Sequence, residues 1–298
     1  MLERLATLAM GARFEVVLEA RDRPHARAAC EAALEEIELC DARWSLFRSD
    51  SLVARVNREA GEREVPLDHE TFELLAACAE LRERTRGAFD VALGVRMREL
   101  GFRGAAPRAS AVRPADASEA PFVLSNSRRS IRFTRTGVAL DLGAIGKGEA
   151  LDRAAQVLRE CGIERALVHG GTSSAVALGA PPDCAGWRVG LEGFEPARAI
   201  ELRDRSLSVS APHGRTTLRD GRELGHVLDP QTGAALEPGL RAAAIAPTGR
   251  EAEAWSTAAV VLLARGLDPR ALAPTHIELH TSAAAPHSSL RQPLSTTR

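Results

Sequence analysis

The 298-residue chain contains no tyrosine, and aromatic residues make up only 4% of it. A phenolic hydroxyl is thereby excluded from any site the chain builds. An excess of either charge is also missing. Thirty-nine Lys+Arg against 40 Asp+Glu leave a net charge of -1, which argues against a nucleic-acid binder relying on a basic face. No apolar run approaches the roughly 20 residues of a spanning helix. The first residues, MLERLATLAMGARFEVVLEA, lack a basic n-region, an apolar h-region and a lipobox-like cysteine, so a cytoplasmic protein without a membrane anchor is expected. The five cysteines are an odd number with no CxxC or Cys/His metal spacing. Cys30, Cys40, Cys78 and Cys161 fall in stretches of helical pattern and read as small buried hydrophobes, which mildly favours a reducing compartment.

What is present is an ordinary globular composition. A hydrophobic fraction of 45% is too large for a disordered chain, and the length allows one large domain or about two. Arg13 to Glu19 alternates as a strand. Asp22 and Pro24 open a helix running to about Arg43, with Leu34, Ile37 and Trp44 near one face and Cys30 below. Asp68 is placed to cap a second helix, His69 to about Thr85, that buries Phe72, Leu75 and Cys78. Residues 103–121 are rich in Ala, Pro, Arg and Ser and read as a linker or insertion. Short strands are predicted at 122–124, 130–134 and 138–140, then a glycine-bearing turn and a helix stopped by Gly162. Leu151, Ala154, Ala155, Leu158 and Cys161 are its predicted core face. Strands at 166–169 and 174–178 flank Gly170-Gly171. A last amphipathic helix is predicted from Glu253 to Ala264, then a strand at 276–281 and a disordered tail from Ser282. Without regular βαβ alternation the fold class reads as α+β.

Four stretches carry residues suited to chemistry. In DLGAIGKG, small residues let a backbone approach a ligand, and the following helix N-terminus offers N–H groups to an anion. Lys147 can reach a phosphate there, and Asp141 can hold a ribose or base donor; a structural turn with a solvated lysine is the alternative. In HVLDPQTG, His226 can act as a general base, with Asp229 orienting it or capping the turn. In AEAWSTAA, Glu253 and Thr257 lie one helical turn apart and form a hard-oxygen corner suited to Mg²⁺, or Glu253 simply complements a helix dipole. The segment Gly87-Ala88-Phe89-Asp90 reads on its own as a helix stop with a core phenylalanine.

In their order these stretches resemble the ApbE family, the FAD:protein FMN transferases, from about Met10 to about Leu263. Met10-Gly11 is similar to the family's opening Met-Gly, SLFRSDSLVARVN to its segment ending in Asn, here Asn57, and GAFDVALGVRM to GAFDPTVGPLV. DLGAIGKGEALD, ending at Asp152, resembles D-L-G-x-I-A-K-G-Y-x-x-D, and HGGTS resembles the N-x-G-G-D turn. HVLDPQTG is similar to H-I-x-D-P-x-T-G, and AEAWSTAA to A-D-A-x-A-T-A-L.

The resemblance implies one T-fold-related ApbE-like domain over 1–282, with mixed sheets, packed helices and a tail at 283–298. It implies an enzyme that uses FAD and Mg²⁺ to transfer the FMN moiety onto a Thr or Ser hydroxyl of an acceptor flavoprotein, releasing AMP. Met10, Ala88, Phe89, Asp90, Asp141 and Lys147 would contact FAD, and Phe47 would pack on the flavin. The Ala144 carbonyl and the side chains of Glu253 and Thr257 would hold Mg²⁺, with Ser256 adjacent, and His226 would be the base. The chain departs from the family's pattern at several of these places. Glu253 stands for the metal-site Asp, Ser256 for a neighbouring Asp, Phe47 for the flavin-packing Tyr and Thr172 for the turn Asp, while Val209-Ser210-Ala211 replaces a T-S-G turn. Hydrolysis of FAD to FMN and AMP, or FAD binding without catalysis, are the alternatives these departures leave.

Overall fold

A computed structural model describes residues 2–19, 22–103, 119–194, 198–212, 216–219 and 222–283. The linker expected at 103–121 and the tail expected from 282 lie mostly outside them. The chain opens with strands β1 (Leu2–Ala9) and β2 (Ala12–Glu19), then helices α1 (Arg23–Trp44) and α2 (Leu52–Glu59). Strand β3 (Val65–Pro66), helices α3 (His69–Arg84) and α4 (Gly94–Glu99), and strands β4 (Phe122–Ser125) and β5 (Ser130–Phe133) follow. After helix α5 (Gly146–Glu160) come β6 (Ala166–Gly170), β7 (Ser174–Leu178), β8 (Trp187–Leu191), β9 (Arg198–Leu202) and β10 (Ser206–Ser210). The chain closes with β11 (Thr216–Arg219), β12 (Arg222–Gly225), β13 (Leu240–Ala246), α6 (Gly249–Ala264) and β14 (Glu278–Ala283).

Seven strands form one antiparallel sheet in the order β1-β2-β6-β7-β10-β13-β14. Its central strands read as nearly continuous apolar runs because both faces are covered. Val16, Val176, Ala242 and Ala244 point into the main core under α1, α5 and α6. Their neighbours Val17, Ala175, Ala177, Ala243 and Ile245 point to the other face, where Trp187, Leu191 and Leu202 of the β8–β9 hairpin cover them. The small sheet β3-β5-β4 joins the main core through Val65, Ile131 and Phe133.

The helix signals in the sequence are realised locally. Asp22 caps α1 by accepting from His25 N at 3.4 Å, and Asp68 caps α3 by accepting from Thr71 N at 2.7 Å. Gly162, at φ 73°, ends α5 as the left-handed C-terminal position requires. Cys30, Cys40 and Cys78 are buried free thiols, and burial pushes those of Cys30 and Cys40 up to about 12. Cys161 is only half-buried at the margin of the core.

Other expectations are corrected. Residues 138–140 form no strand; Ala139 and Leu140 are held instead by the Asn57 side chain and by loop backbone. The last helix begins at Gly249 with Thr248 as its cap, so Glu253 stands in its second turn rather than at the dipole end. The last strand spans Glu278–Ala283 and takes in Ser282. β1 was not foreseen.

Helices α5 and α6 cross at a pair of glycines. A Cβ added to Gly148 would lie 2.2 Å from the carbonyl oxygen of Gly249, so the backbones touch. At the same crossing the Asp152 carboxylate accepts from Gly249 N at 2.6 Å and Arg250 N at 3.0 Å, satisfying two open N–H groups of α6 from a neighbouring helix. Burial pushes the Asp152 carboxyl up to about 7, against the pull of those two N–H groups.

Candidate active site

Two sequence-distant stretches converge on the backbone just before Asp141. Asn57, on α2, donates from Nδ2 to Leu140 O at 3.0 Å and accepts from Leu140 N at 2.7 Å. Val91 O accepts from Asp141 N at 2.7 Å, and Gly94 N donates to Ala139 O at 2.8 Å. Gly94 is required there, since a Cβ would lie 2.9 Å from the carbonyl oxygens of both Ala139 and Leu140. The motif ending at Asn57 and the GAFDVALG motif thus aim the DLGAIGKG turn.

That turn forms one wall of a cleft of about 1680 Å³, larger than the roughly 300–1,000 Å³ usual for drug-sized ligands. Asp141, Ala144 and Lys147 line it, facing Glu253 and Thr257 of α6 and His226 beyond β12. Lys147 Nζ forms an ion pair with Glu253 Oε1. Ser174 Oγ donates to the same oxygen at 2.6 Å. Glu253 is 2% exposed, and its Oε2 is buried with no hydrogen-bond partner. Ser210 Oγ, at the end of β10, lies 3.1 Å from Thr257 Oγ1 and 2.8 Å from Ser256 Oγ. Ser256 is fully buried behind this corner, bonded to Ser208 and the Glu253 carbonyl, and does not line the cleft. Among the described residues no group of three or more His, Cys, Asp or Glu could hold a metal ion. The corner is therefore one carboxylate with hydroxyls around it.

At the other side of the cleft, Met10 and Gly11 make the two-residue β1–β2 hairpin turn, with φ of 50° and 68°. Met10 lines the cleft from this turn, as do Trp44, at the end of α1, and Phe47, just after it. Phe47 is 77% exposed, an aromatic ring left open beside a cavity. Ala88 and Asp90 also line the cleft, Asp90 held by Arg82 Nε at 2.9 Å. Phe89 is wholly buried in the main core, and its side chain lies outside the cleft lining.

His226 is half-buried and lines the cleft. Asp229 caps the turn that follows, accepting from Gln231 N at 2.8 Å, and pairs with Arg265 at 2.6 Å. Burial raises the Asp229 carboxyl, but Arg265 and the turn N–H groups outweigh it and hold it below its ordinary value. The turn-capping alternative for Asp229 is the one the geometry supports.

Sequence reasoning missed Ser174, Ser210 and Arg103. Ser174 opens a strand and carried only a strand pattern, while Ser210, noted as part of the Val209-Ser210-Ala211 departure, was given no role and closes a strand that was not predicted. Arg103 stood at the boundary of the Ala/Pro-rich stretch, yet it lines the cleft and bonds Asp141.

Fold and site together define an α+β protein with a large cleft at one end of an antiparallel sheet, lined by both polar and apolar side chains. The sequence matches the ApbE family over residues 10–272. An FAD:protein FMN transferase of Treponema pallidum is 32% identical over 258 residues, spanning 78% of this chain and 71% of that protein. One of Klebsiella pneumoniae is 26% identical over 268 residues, spanning 85% and 76%. Among solved structures, the ApbE protein of Thermotoga maritima matches with a TM-score of 0.82 at 24% identity, covering 95% of this chain and 97% of that one. The apo flavinyl transferase ApbE of Pseudomonas stutzeri gives 0.77 at 24% identity, covering 95% of each chain. The chain belongs to the ApbE family. Among the described residues no helix is long and apolar enough to cross a membrane.

Proposed function

We propose that this chain is a transferase that moves the FMN part of FAD onto a Thr or Ser hydroxyl of an acceptor flavoprotein, with Mg²⁺ as cofactor and AMP as the second product. The observation that carries this reading is the convergence of Lys147, Glu253, Thr257 and His226 on a cleft with an open aromatic ring, Phe47. The relatives named above as FAD:protein FMN transferases support the same reaction.

The residues present fit Mg²⁺. The buried, unpartnered Glu253 Oε2 is a charged acceptor without a donor, which a hard cation satisfies. Ala144 through its carbonyl, and Glu253 and Thr257 through their side chains, would hold the ion. Mg²⁺ keeps several waters and needs few protein ligands, so one carboxylate suffices. Bound there, the ion would supply charge neutralisation at the phosphoryl oxygens.

The chain's own groups divide the remaining work. Phe47 stacks on the isoalloxazine, and the cleft orients the dinucleotide. Lys147 offers a compact positive charge to the phosphates. His226 accepts the proton of the incoming hydroxyl as that oxygen bonds to the FMN phosphorus, and the bond from this phosphorus to the bridging oxygen breaks. AMP leaves with the bridging oxygen. General-base help of this kind contributes roughly 10²–10⁴-fold.

The test is incubation of the purified chain with FAD, Mg²⁺ and a flavoprotein acceptor domain, read as a flavin-fluorescent protein band and as free FMN plus AMP. A band with AMP is the expected result. Free FMN without a band would show hydrolysis, and bound FAD with neither product would show a binding protein.

A further inference from the structure

The resemblance assigns Asp141 to FAD directly, yet its carboxylate is already engaged. Oδ2 accepts from Arg103 Nε at 2.8 Å, and Oδ1 accepts from Gly143 N at 2.8 Å with Arg103 Nη2 at 3.5 Å. Asp141 is 7% exposed, and the Arg103 side chain 11%. Gly143 makes room for this pairing: a Cβ there would lie 2.7 Å from Arg103 Nη2 and 2.9 Å from Asp141 Oδ1. The guanidinium has five N–H groups in a rigid fork. Three are used by Asp141 and by Phe102 O, the last at 3.3 Å from Nη1, which leaves two N–H groups beyond these bonds. Arg103 lines the cleft, and so does Lys147 at the far end of the same turn. Two cations therefore bracket the turn whose small residues admit a close ligand.

A dinucleotide diphosphate is anionic, and a bare carboxylate against it would repel. A guanidinium fixed by that carboxylate attracts it instead, with little rotamer entropy left to lose on binding.

We propose that Arg103 is a substrate-binding residue that contacts the phosphates of the bound dinucleotide, and that Asp141 is a positioning residue acting through it. The proposal rests on the flavin-nucleotide reading above. It concerns the phosphate-bearing half of the ligand, so FAD and ADP should respond to it and riboflavin should not.

The experiment is equilibrium binding of FAD, ADP and riboflavin to the full chain, as wild type, Arg103→Ala, Arg103→Lys and Asp141→Asn, at low and high KCl. In Arg103→Ala, FAD and ADP should bind about tenfold more weakly, the loss of one hydrogen-bonded charge contact, with riboflavin unchanged. The salt dependence of FAD binding should flatten in the same variant. Arg103→Lys, which keeps the charge without the fork, should fall between, and it decides the matter if Arg103→Ala does not fold. Asp141→Asn should weaken FAD and ADP but leave riboflavin alone. Unchanged FAD and ADP affinity in both Arg103 variants would overturn the proposal and leave a purely structural ion pair. Tighter FAD binding in Arg103→Ala with weaker binding in Asp141→Asn would overturn it too, returning the ligand contact to the carboxylate. A wild-type chain that binds neither FAD nor ADP would sink the nucleotide reading itself, a different result from insensitive variants.

Discussion

Glu253 and Lys147 meet as an ion pair across the cleft, 106 residues apart in the chain, with Ser174 donating to the same carboxylate oxygen. A cation entering this corner must share Glu253 with the lysine. Lys147→Met should therefore strengthen Mn²⁺ or Mg²⁺ binding in the absence of nucleotide several-fold while lowering flavin transfer, measured by calorimetry and by product formation. Weaker metal binding in this variant would show that the lysine supports the ion instead of competing with it.

The length of Glu253 is matched to its partner. Its Oε1 reaches Ser174 Oγ at 2.6 Å, and an aspartate one methylene shorter would lose that contact. Glu253→Asp and Ser174→Ala should each lower metal-dependent activity, with Ser174→Ala losing about 1 kcal/mol of metal affinity for the one hydrogen bond. An Asp variant more active than wild type would show that glutamate is a handicap here.

Phe47 separates function from stability. Its ring is 77% exposed, so Phe47→Ala should leave the unfolding free energy from urea titration within about 0.5 kcal/mol of wild type. FAD and riboflavin affinity should nonetheless drop by roughly tenfold, because a stacked aromatic contact contributes about 0.5–1.5 kcal/mol beyond area burial. Equal affinities would remove Phe47 from the flavin site.

The α5–α6 crossing has the opposite character. Gly148→Ala places a methyl group 2.2 Å from Gly249 O, forcing the helices apart. A loss of about 1–3 kcal/mol or more is expected in denaturant unfolding. Because α5 carries Lys147 and α6 carries Glu253, activity should fall beyond what stability explains.

Asp152 makes stability depend on pH. Its carboxyl is raised from 3.8 to about 7 in the folded chain by burial. Between those values the native state holds a proton that the unfolded state has released, so this group's contribution falls as pH rises from about 4 to about 7. Asp152→Asn cannot ionise, and its stability relative to wild type should climb across that window in urea titrations. A difference that stays flat with pH would show that Asp152 titrates normally.

Much of this architecture was legible because its signals are local. Asp22 with Pro24, Asp68 and Gly162 mark helix ends through bonds to residues three or four positions away. The collinear motifs likewise located the turn, the histidine and the α6 corner. What escaped depends on distance. LERLATLA is rich in helix formers, yet it becomes strand β1 because β2 offers it a full antiparallel ladder. The start of α6 was obscured because Gly249 is a poor helix former, and part of its capping comes from Asp152, 97 residues away. Asn57 was visible as the end of a motif, but its use, pairing with Leu140 backbone 83 residues on, was not. The Arg103–Asp141 bond likewise spans 38 residues and left no mark in the local pattern.

Excited in the indole band, a chain without tyrosine emits from its three tryptophans, and these sit in very different places. Trp255 lies deep in the core and Trp187 donates to Leu178 O on the far face of the sheet. Trp44, hydrogen-bonded to Thr71 Oγ1 and flanked by Arg153, is part of the cleft wall itself. Flavins absorb where indoles emit, so occupancy of the cleft has a built-in optical reporter that needs no label, and Trp44→Phe would identify the indole responsible.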